Sequence, residues 1–432
     1  MMRRSNHVPP ARDVSVDSVD IAVVSANLGF ESPGKIPPSE KTGARDSDPR
    51  RLRPDSRDPL EGPCGGLSLP DRLLRQLHRE GVPRVLFAGP SDTLSKIREL
   101  LRRGRRPDLW PRTIEFRVAR GEEKYPEPSG LGEGRKFLLL PLHAVIDSYL
   151  LRLLLSAEKS LFVSGGGTEA GVVFPGAADT TVLPVERLVH YDPSVRKTRR
   201  PILHAIRSRE DIEEAERLLL SSVQKEVLDL PGRYFDPIFE DRLVRLIAPT
   251  AITPNMVTVT TTTVGFGIAA AFRRGFLRAG ALATLAISTL DGVDGKLARL
   301  RIETSRLGEG EHFLDFLYEN SWYIALGKRL GMPRTATAMV ASDILDNLAY
   351  LTIQKTAGKM IDELSEGDRF FRLIAGRRNI YSWIFVVGFW FGRKRTILRA
   401  AAFWAAFTAA VHWIRVGMVL LATADRSTNR QV

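Results

Sequence analysis

The chain has 432 residues, of which 44% are hydrophobic, a formal net charge of +13 and one cysteine, Cys64. That length exceeds one ordinary domain, and a single cysteine excludes both an intramolecular disulfide and a cysteine-rich metal site. The positive charge suits nucleic acid, an anionic membrane surface or a phosphate-rich substrate, but aromatics are not interleaved with the basic residues and no zinc-finger or RNA-binding spacing is present, so no nucleic-acid partner is expected.

The basic start, MMRRSNHVPPARD, is followed by no apolar core of the kind a secretory signal needs, and the N-terminus is expected to stay in the cytoplasm. Residues 1–65 are rich in Pro, Ser, Asp, Arg and Gly and read as a mostly disordered segment. One apolar run, Ile21–Phe30, leaves a second reading open, in which it is the first strand of the next domain and the charged insert 39–58 loops out behind it.

Residues 66–222 alternate between strand and helix patterns. LPDRLLRQLHREG, SDTLSKIRELLRRG, DSYLLRLLLSAEK and REDIEEAERLLLSSV read as helices, the second of them capped by Ser91. PRVLFAG, RKFLLLPLHAVI, SLFVSGG and AGVVFP read as strands. Such alternation predicts a soluble α/β domain, a parallel sheet with helices on its faces. An amphipathic connector follows over 223–250, centred on Tyr234–Ile247.

From 251 to 425 the pattern becomes apolar spans between short basic loops: Met256–Phe272, Ala279–Leu297, His312–Leu326, Thr335–Ile353, Ile380–Phe391 and Ile397–Leu421. These predict an all-α bundle of six transmembrane helices in a multi-pass membrane protein. Asp291, Asp294, Asp315, Glu319, Asp343, Asp346, His412 and Arg415 are costly in lipid and must face the bundle interior or a water-filled cavity. Placing the N-terminal domain in the cytoplasm also puts the basic stretch Lys355–Arg378 there. The opposite loops are basic too, so charge bias orients the bundle only weakly.

The chemistry concentrates in Ser288–Asn320. Asp291 and Asp294 lie three apart and share a helix face; Asp315 and Glu319 lie four apart and share another. Gly295 and Ala298 remove bulk beside the first pair, so a base or pyrophosphate can approach the backbone, and Arg299 offers a fixed charge to phosphate. Four carboxylates on two facing helices make a hard-oxygen site suited to Mg²⁺ or Mn²⁺. The alternative is that these acids are buried ion-pair partners of Arg299, Arg301 or Arg306. Asp343 with Asp346, and GRRN at Gly376–Asn379, are weaker candidates for holding a polar acceptor or its phosphate.

These residues resemble the CDP-alcohol phosphatidyltransferases, whose motif is D-x-x-D-G-x-x-A-R, eight residues, then G-x-x-x-D-x-x-x-D. Asp291, Asp294, Gly295, Ala298, Arg299 and Gly308 stand at the first six fixed positions without a gap. Ile252–Thr258, with Asn255 and Thr258, resembles the Thr-Pro-Asn element before the family's first membrane helix. Strict counting puts His312 and Phe316 at the last two positions; treating the Glu309–Glu311 stretch as an insertion puts Asp315 at the third aspartate and Glu319 at the fourth. The resemblance implies two divalent ions (Mg²⁺ or Mn²⁺) on Asp291, Asp294, Asp315 and Glu319, with Glu319, or Asp315, taking the acceptor's proton. Gly295, Ala298, Arg299, Gly308, Asn255 and Thr258 would bind substrate. It further implies a CDP-linked lipid or alcohol donor, an acceptor alcohol, surrounding membrane lipids, CMP release near the cytoplasmic face, and a homodimer.

The α/β domain is similar, more loosely, to the nucleotidyltransferase-like domain fused ahead of the membrane half in inositol-phosphate cytidylyltransferase fusions. Its phosphate-cradling loop is a poor match at Ala26–Lys35. SGGG at Ser164–Gly167 sits between strands and reads as a turn, and Asp147 reads as a helix cap, so the domain is expected to be degenerate. The rivals are a working cytidylyltransferase there, making the chain bifunctional, and an inactive membrane-anchored scaffold.

Overall fold

The computed structural model describes residues 19–25, 59–61, 65–119, 135–175, 179–303 and 306–428. Strand β1 (Ile21–Ser25) is buried along its whole length, as a run of small and β-branched residues in the middle of a parallel sheet should be. It pairs in parallel with β2 (Arg84–Gly89) on one side and β4 (Phe137–Pro141) on the other, with Val23 opposite both Leu86 and Leu139. The strand reading therefore describes Ile21–Ser25, and the α/β domain begins well before residue 66.

With β3 (Thr113–Val118), β6 (Ser160–Gly165), β7 (Thr168–Val173) and β8 (Thr180–Pro184), the sheet has the order β3-β2-β1-β4-β7-β6-β8. It is parallel apart from β7, which is reversed by the β6–β7 hairpin. Gly166 and Gly167, both at positive φ, make that hairpin's turn, so SGGG is a turn as expected. Helices α1 (Leu69–Arg79), α2 (Ser91–Arg102) and α3 (Ser148–Leu155) cover one face, burying Leu74, Leu77, Ile97, Leu150 and Leu154 against Ala22, Val24, Val85 and Phe87. Ser91 is the first helical residue of α2 and Pro90 its cap position, so the expected Ser91 cap is displaced by one. Beyond the sheet lie three short pieces: β5 (Ala144–Ile146), which pairs with β11 (Leu203–Ala205), and the hairpin of β9 (His190–Asp192) and β10 (Lys197–Arg199).

Helix α4 (Arg209–Val223) starts with a reciprocal cap between Ser208 and Asp211. The connector is two short helices, α5 (Leu230–Tyr234) and α6 (Asp236–Ile247). Then come α7 (Pro254–Arg274), α8 (Leu277–Arg301), α9 (Arg306–Leu330), α10 (Pro333–Ala357), the short α11 (Glu366–Ile374), α12 (Arg378–Trp390) and α13 (Lys394–Thr428). The six longer ones coincide with the six expected spans.

Among the described residues only two stretches, Pro254–Arg274 and Lys394–Thr423, are long and apolar enough to cross a membrane. The six-helix transmembrane bundle is thus narrowed to a C-terminal helical region with two such helices. The physical reason is visible in the sequence: α8, α9 and α10 carry the acids and bases of interest, and α12 has 13 residues.

Two kinds of contact join the halves. Leu69, Val145, Leu219, Val244, Val257, Val293 and Leu297 form one apolar cluster drawn from both. Guanidiniums also cap helix ends: Arg72 and Arg75 donate to the carbonyls of Leu300 and Arg301 at the end of α8. Arg301 in turn donates to the carbonyls of Ile247, Ala248, Thr250 and Ile252 at and just beyond the end of α6. A cation at a helix C-terminus satisfies unpaired carbonyls and opposes the helix dipole.

Candidate functional site

Helix α8 carries the first pair of acids, and its neighbours separate them. Thr253 caps α7 by accepting from the Met256 N–H, so the Thr-Pro-Asn element is a helix start with proline at its first position. One turn on, the Thr258 hydroxyl donates to Asp294 Oδ2 at 2.6 Å in a buried contact. Asp291 turns instead toward α12. From Asp291 to the end of α8 the half-exposed residues are Asp291, Gly292, Gly295, Ala298 and Arg299, a strip of mostly small side chains.

Gly292 has a packing reason. Glu240 of α6 lies against its backbone, and a Cβ there would collide with the Glu240 carboxylate. Lys296, buried one turn later, binds Glu240 at 2.8 Å and Asp241 at 2.6 Å. Two of the motif's variable positions, Gly292 and Lys296, therefore dock the connector onto α8.

Helix α9 brings Asp315 and Glu319 to the same place as Asp291. All three meet one guanidinium, that of Arg378 at the start of α12: Nη2 pairs with Asp291, and Nη1 lies 3.1 Å from Glu319 and 3.9 Å from Asp315. Nη1 also donates to the Tyr318 hydroxyl, and the guanidinium sits 5.8 Å from the Tyr318 ring centre. Tyr318 is seated by Gly265 of α7, where a Cβ would come within 2.6 Å of its ring. Beyond Glu319, Asn320 donates to Asp343 at 2.8 Å.

A second acidic layer lies under Arg378. Asn379 donates to Asp229 at 3.1 Å and to Asp236 at 3.3 Å. Burial, and then the neighbouring Glu240 and Asp229, push the Asp236 carboxyl up to about 7, against the pull of Arg378. Glu240 is also raised, because burial outweighs its attraction to Lys296.

The structure thus brings together Asp291, Asp315 and Glu319 and leaves Gly295 and Ala298 beside them. It turns Asp294 to Thr258. Arg299 donates to the Val223 carbonyl at the end of α4, Asn255 is exposed on the first turn of α7, and Gly308 lies in the first turn of α9. Three of the four acids, Asp291, Asp315 and Glu319, are ion-pair partners as the alternative supposed, and their shared partner is Arg378, which it did not name; the side chain of Arg306 lies outside the described residues. Arg378 was visible only as part of GRRN, and Asp236 carried no signal beyond lying in the connector. Of the weaker candidates, Asp346 pairs with His412, and Arg415 binds Asp368 at 2.8 Å. In the α/β domain Asp147 is a helix cap, accepting from the Tyr149 N–H at 2.9 Å, and Ala26–Lys35 lies outside the described residues.

Whether these acids suit a divalent ion has two answers. Their chemistry fits, since three carboxylates converge on a position that a cation already holds. Their spacing fits a guanidinium: among the described residues no three Asp, Glu, His or Cys side chains are placed to hold one metal ion. No protein-family model matches the chain, and a search of curated proteins finds no match either.

Proposed function

We propose that the C-terminal half is a membrane-embedded CDP-alcohol phosphotransferase of phospholipid biosynthesis. It moves a phosphatidyl or other phospho-alcohol group from CDP-diacylglycerol or a related donor to an acceptor alcohol and releases CMP. The observation that carries this reading is the convergence of Asp291, Asp315 and Glu319 from two helices on one cation position, beside the small-residue strip Gly292, Gly295 and Ala298.

In this reading the acceptor oxygen attacks the phosphorus of the donor, the phosphoanhydride bond to CMP breaks, and the hydroxyl proton passes to Glu319. Gly295 and Ala298 leave room for the donor's pyrophosphate to lie against α8, and Arg378 offers the phosphates a planar donor pair. Asp291, Asp315 and Glu319, with Asp294, are the residues that would hold Mg²⁺ or Mn²⁺, whose chemistry is to neutralise charge on the pyrophosphate.

Multi-pass membrane insertion, with the site toward the cytoplasm, belongs to the same proposal. Its support is the outward apolar surface of the helices, on which Phe266, Ile324, Leu345, Phe403 and Trp413 are exposed. The α/β domain is then a degenerate nucleotidyltransferase-like partner, and the assembly a homodimer.

One observation favours a second reading. With Arg378 among the carboxylates, the same fold serves an inactive membrane-anchored scaffold that binds nucleotide or lipid. The test is CMP release by the full chain in detergent with Mn²⁺, CDP-diacylglycerol and a panel of acceptor alcohols. Acceptor-dependent release that is lost in Asp291→Asn and Glu319→Gln is the expected result; CDP binding without release by any acceptor would leave the scaffold.

A further inference from the structure

We infer that Arg378 is a resident counter-cation of the carboxylate centre, and that a divalent ion enters by displacing its guanidinium. The inference rests on the centre proposed above, but not on its catalysing transfer.

Three features point to exchange rather than a permanent ion pair. The first is charge: three carboxylates face one guanidinium. Among the described residues no other Lys or Arg pairs with them, Lys296 being held by Glu240 and Asp241 and Arg301 by four carbonyls. Three carboxyl groups offer more oxygens than one guanidinium can bind, and hard oxygens are what a divalent cation takes.

The second is fit. Nη1 is 3.9 Å from Asp315, and Arg378 Nε is buried with no hydrogen-bond partner. The guanidinium therefore stays beyond hydrogen-bond reach of Asp315 and leaves one of its own donors unused. A divalent ion takes oxygens at about 2.1 Å, so binding it requires the acids to close in, and that space is available only once the broad guanidinium leaves.

The third is a place to go. Arg378 is the first residue of α12, where the chain enters the helix, and the next residue, Asn379, already donates to Asp229 and Asp236. A displaced guanidinium finds the oxygens of Asp229 and Asp236 on that side, Asp229 being shared with Arg372 at 3.7 Å.

The experiment uses the full chain in detergent and Mn²⁺ alone. Wild-type protein is treated with phenylglyoxal, which labels accessible arginines, and labelling of Arg378 is followed by mass spectrometry with Arg301 as the internal reference. Mn²⁺ is expected to raise Arg378 labelling several-fold while leaving Arg301 unchanged. In parallel, free Mn²⁺ is followed by its paramagnetic resonance signal. Arg378→Met should bind Mn²⁺ about tenfold more tightly than wild type, the factor expected if the vacant site is populated about a tenth of the time. Adding Asp291→Asn should abolish the gain.

Unchanged Arg378 labelling at saturating Mn²⁺ overturns the exchange, as does equal or weaker binding by a folded Arg378→Met, or no Mn²⁺ binding at millimolar concentration. If Arg378→Met does not fold, the wild-type labelling decides alone. Because neither readout involves CMP, labelling that rises without CMP release would sustain the exchange and sink the transferase reading, and the reverse result would do the opposite.

Discussion

Removing Lys296 should expose how tightly the connector is bound to the site. In Lys296→Met the ammonium is replaced by a side chain of similar length, and Glu240, whose side chain is 8% exposed, is left beside Gly292 without its partner. Breaking a buried pair by deleting one member costs about 3–5 kcal/mol. Asp241 adds little, because it is 41% exposed and water screens it. Since burial already holds Glu240 above the ordinary carboxylate range despite Lys296, the intact pair yields little net stability. Lys296→Met/Glu240→Gln should therefore return to within about 1 kcal/mol of wild type. Equilibrium unfolding of the three proteins in mild detergent measures both numbers. A single variant that loses less than about 1 kcal/mol, or a double variant as unstable as the single one, would refute the claim that this triad docks α6 on α8.

Asp236 sets a pH dependence. Its folded value of about 7 lies above the ordinary 3.8, so the folded chain holds a proton there that the unfolded chain has lost. Its contribution is fully present below about pH 4 and falls away as pH rises toward 7, by up to about 4 kcal/mol for a group this buried. Asp236→Asn should flatten that slope, so the difference in Tm between variant and wild type should grow in the variant's favour from pH 4.5 to pH 7.5; a constant difference would sink the assignment. Gly265→Ala should cost about 1–3 kcal/mol by overpacking the Tyr318 ring, and should also weaken Mn²⁺ response at the Arg378 centre. A Tm equal to wild type would show that α7 and α9 are looser than drawn.

Much of this was legible because it follows from local periodicity. The helices of the C-terminal half sit where the apolar runs lie, and α4 begins at a Ser-x-x-Asp cap that the sequence displays. The hairpin at Gly166–Gly167 and the cap at Asp147 follow from the same local rules. What stayed hidden depends on distant pairing. Ile21–Ser25 is too short to separate from a linker until β2 and β4, some 60 and 115 residues away, supply its partners. Arg378 stands nearly 90 residues from Asp291, and no spacing rule connects them.

The limits of spacing are clearest in the motif itself. Two acids three residues apart on a helix are about 60° apart in direction, close enough to be called one face and wide enough to be claimed by different neighbours. Here α7 takes Asp294 through Thr258, and α12 takes Asp291 through Arg378. Asp315 and Glu319, four apart and nearly in line, meet the same guanidinium. A sequence motif fixes which carboxylates can converge; which of them do is decided by the cation that occupies the space between the helices. If that cation is exchangeable, as inferred for Arg378, the separation of Asp291 from Asp294 describes one state of the centre, and contraction around a smaller ion is the step that would reunite them.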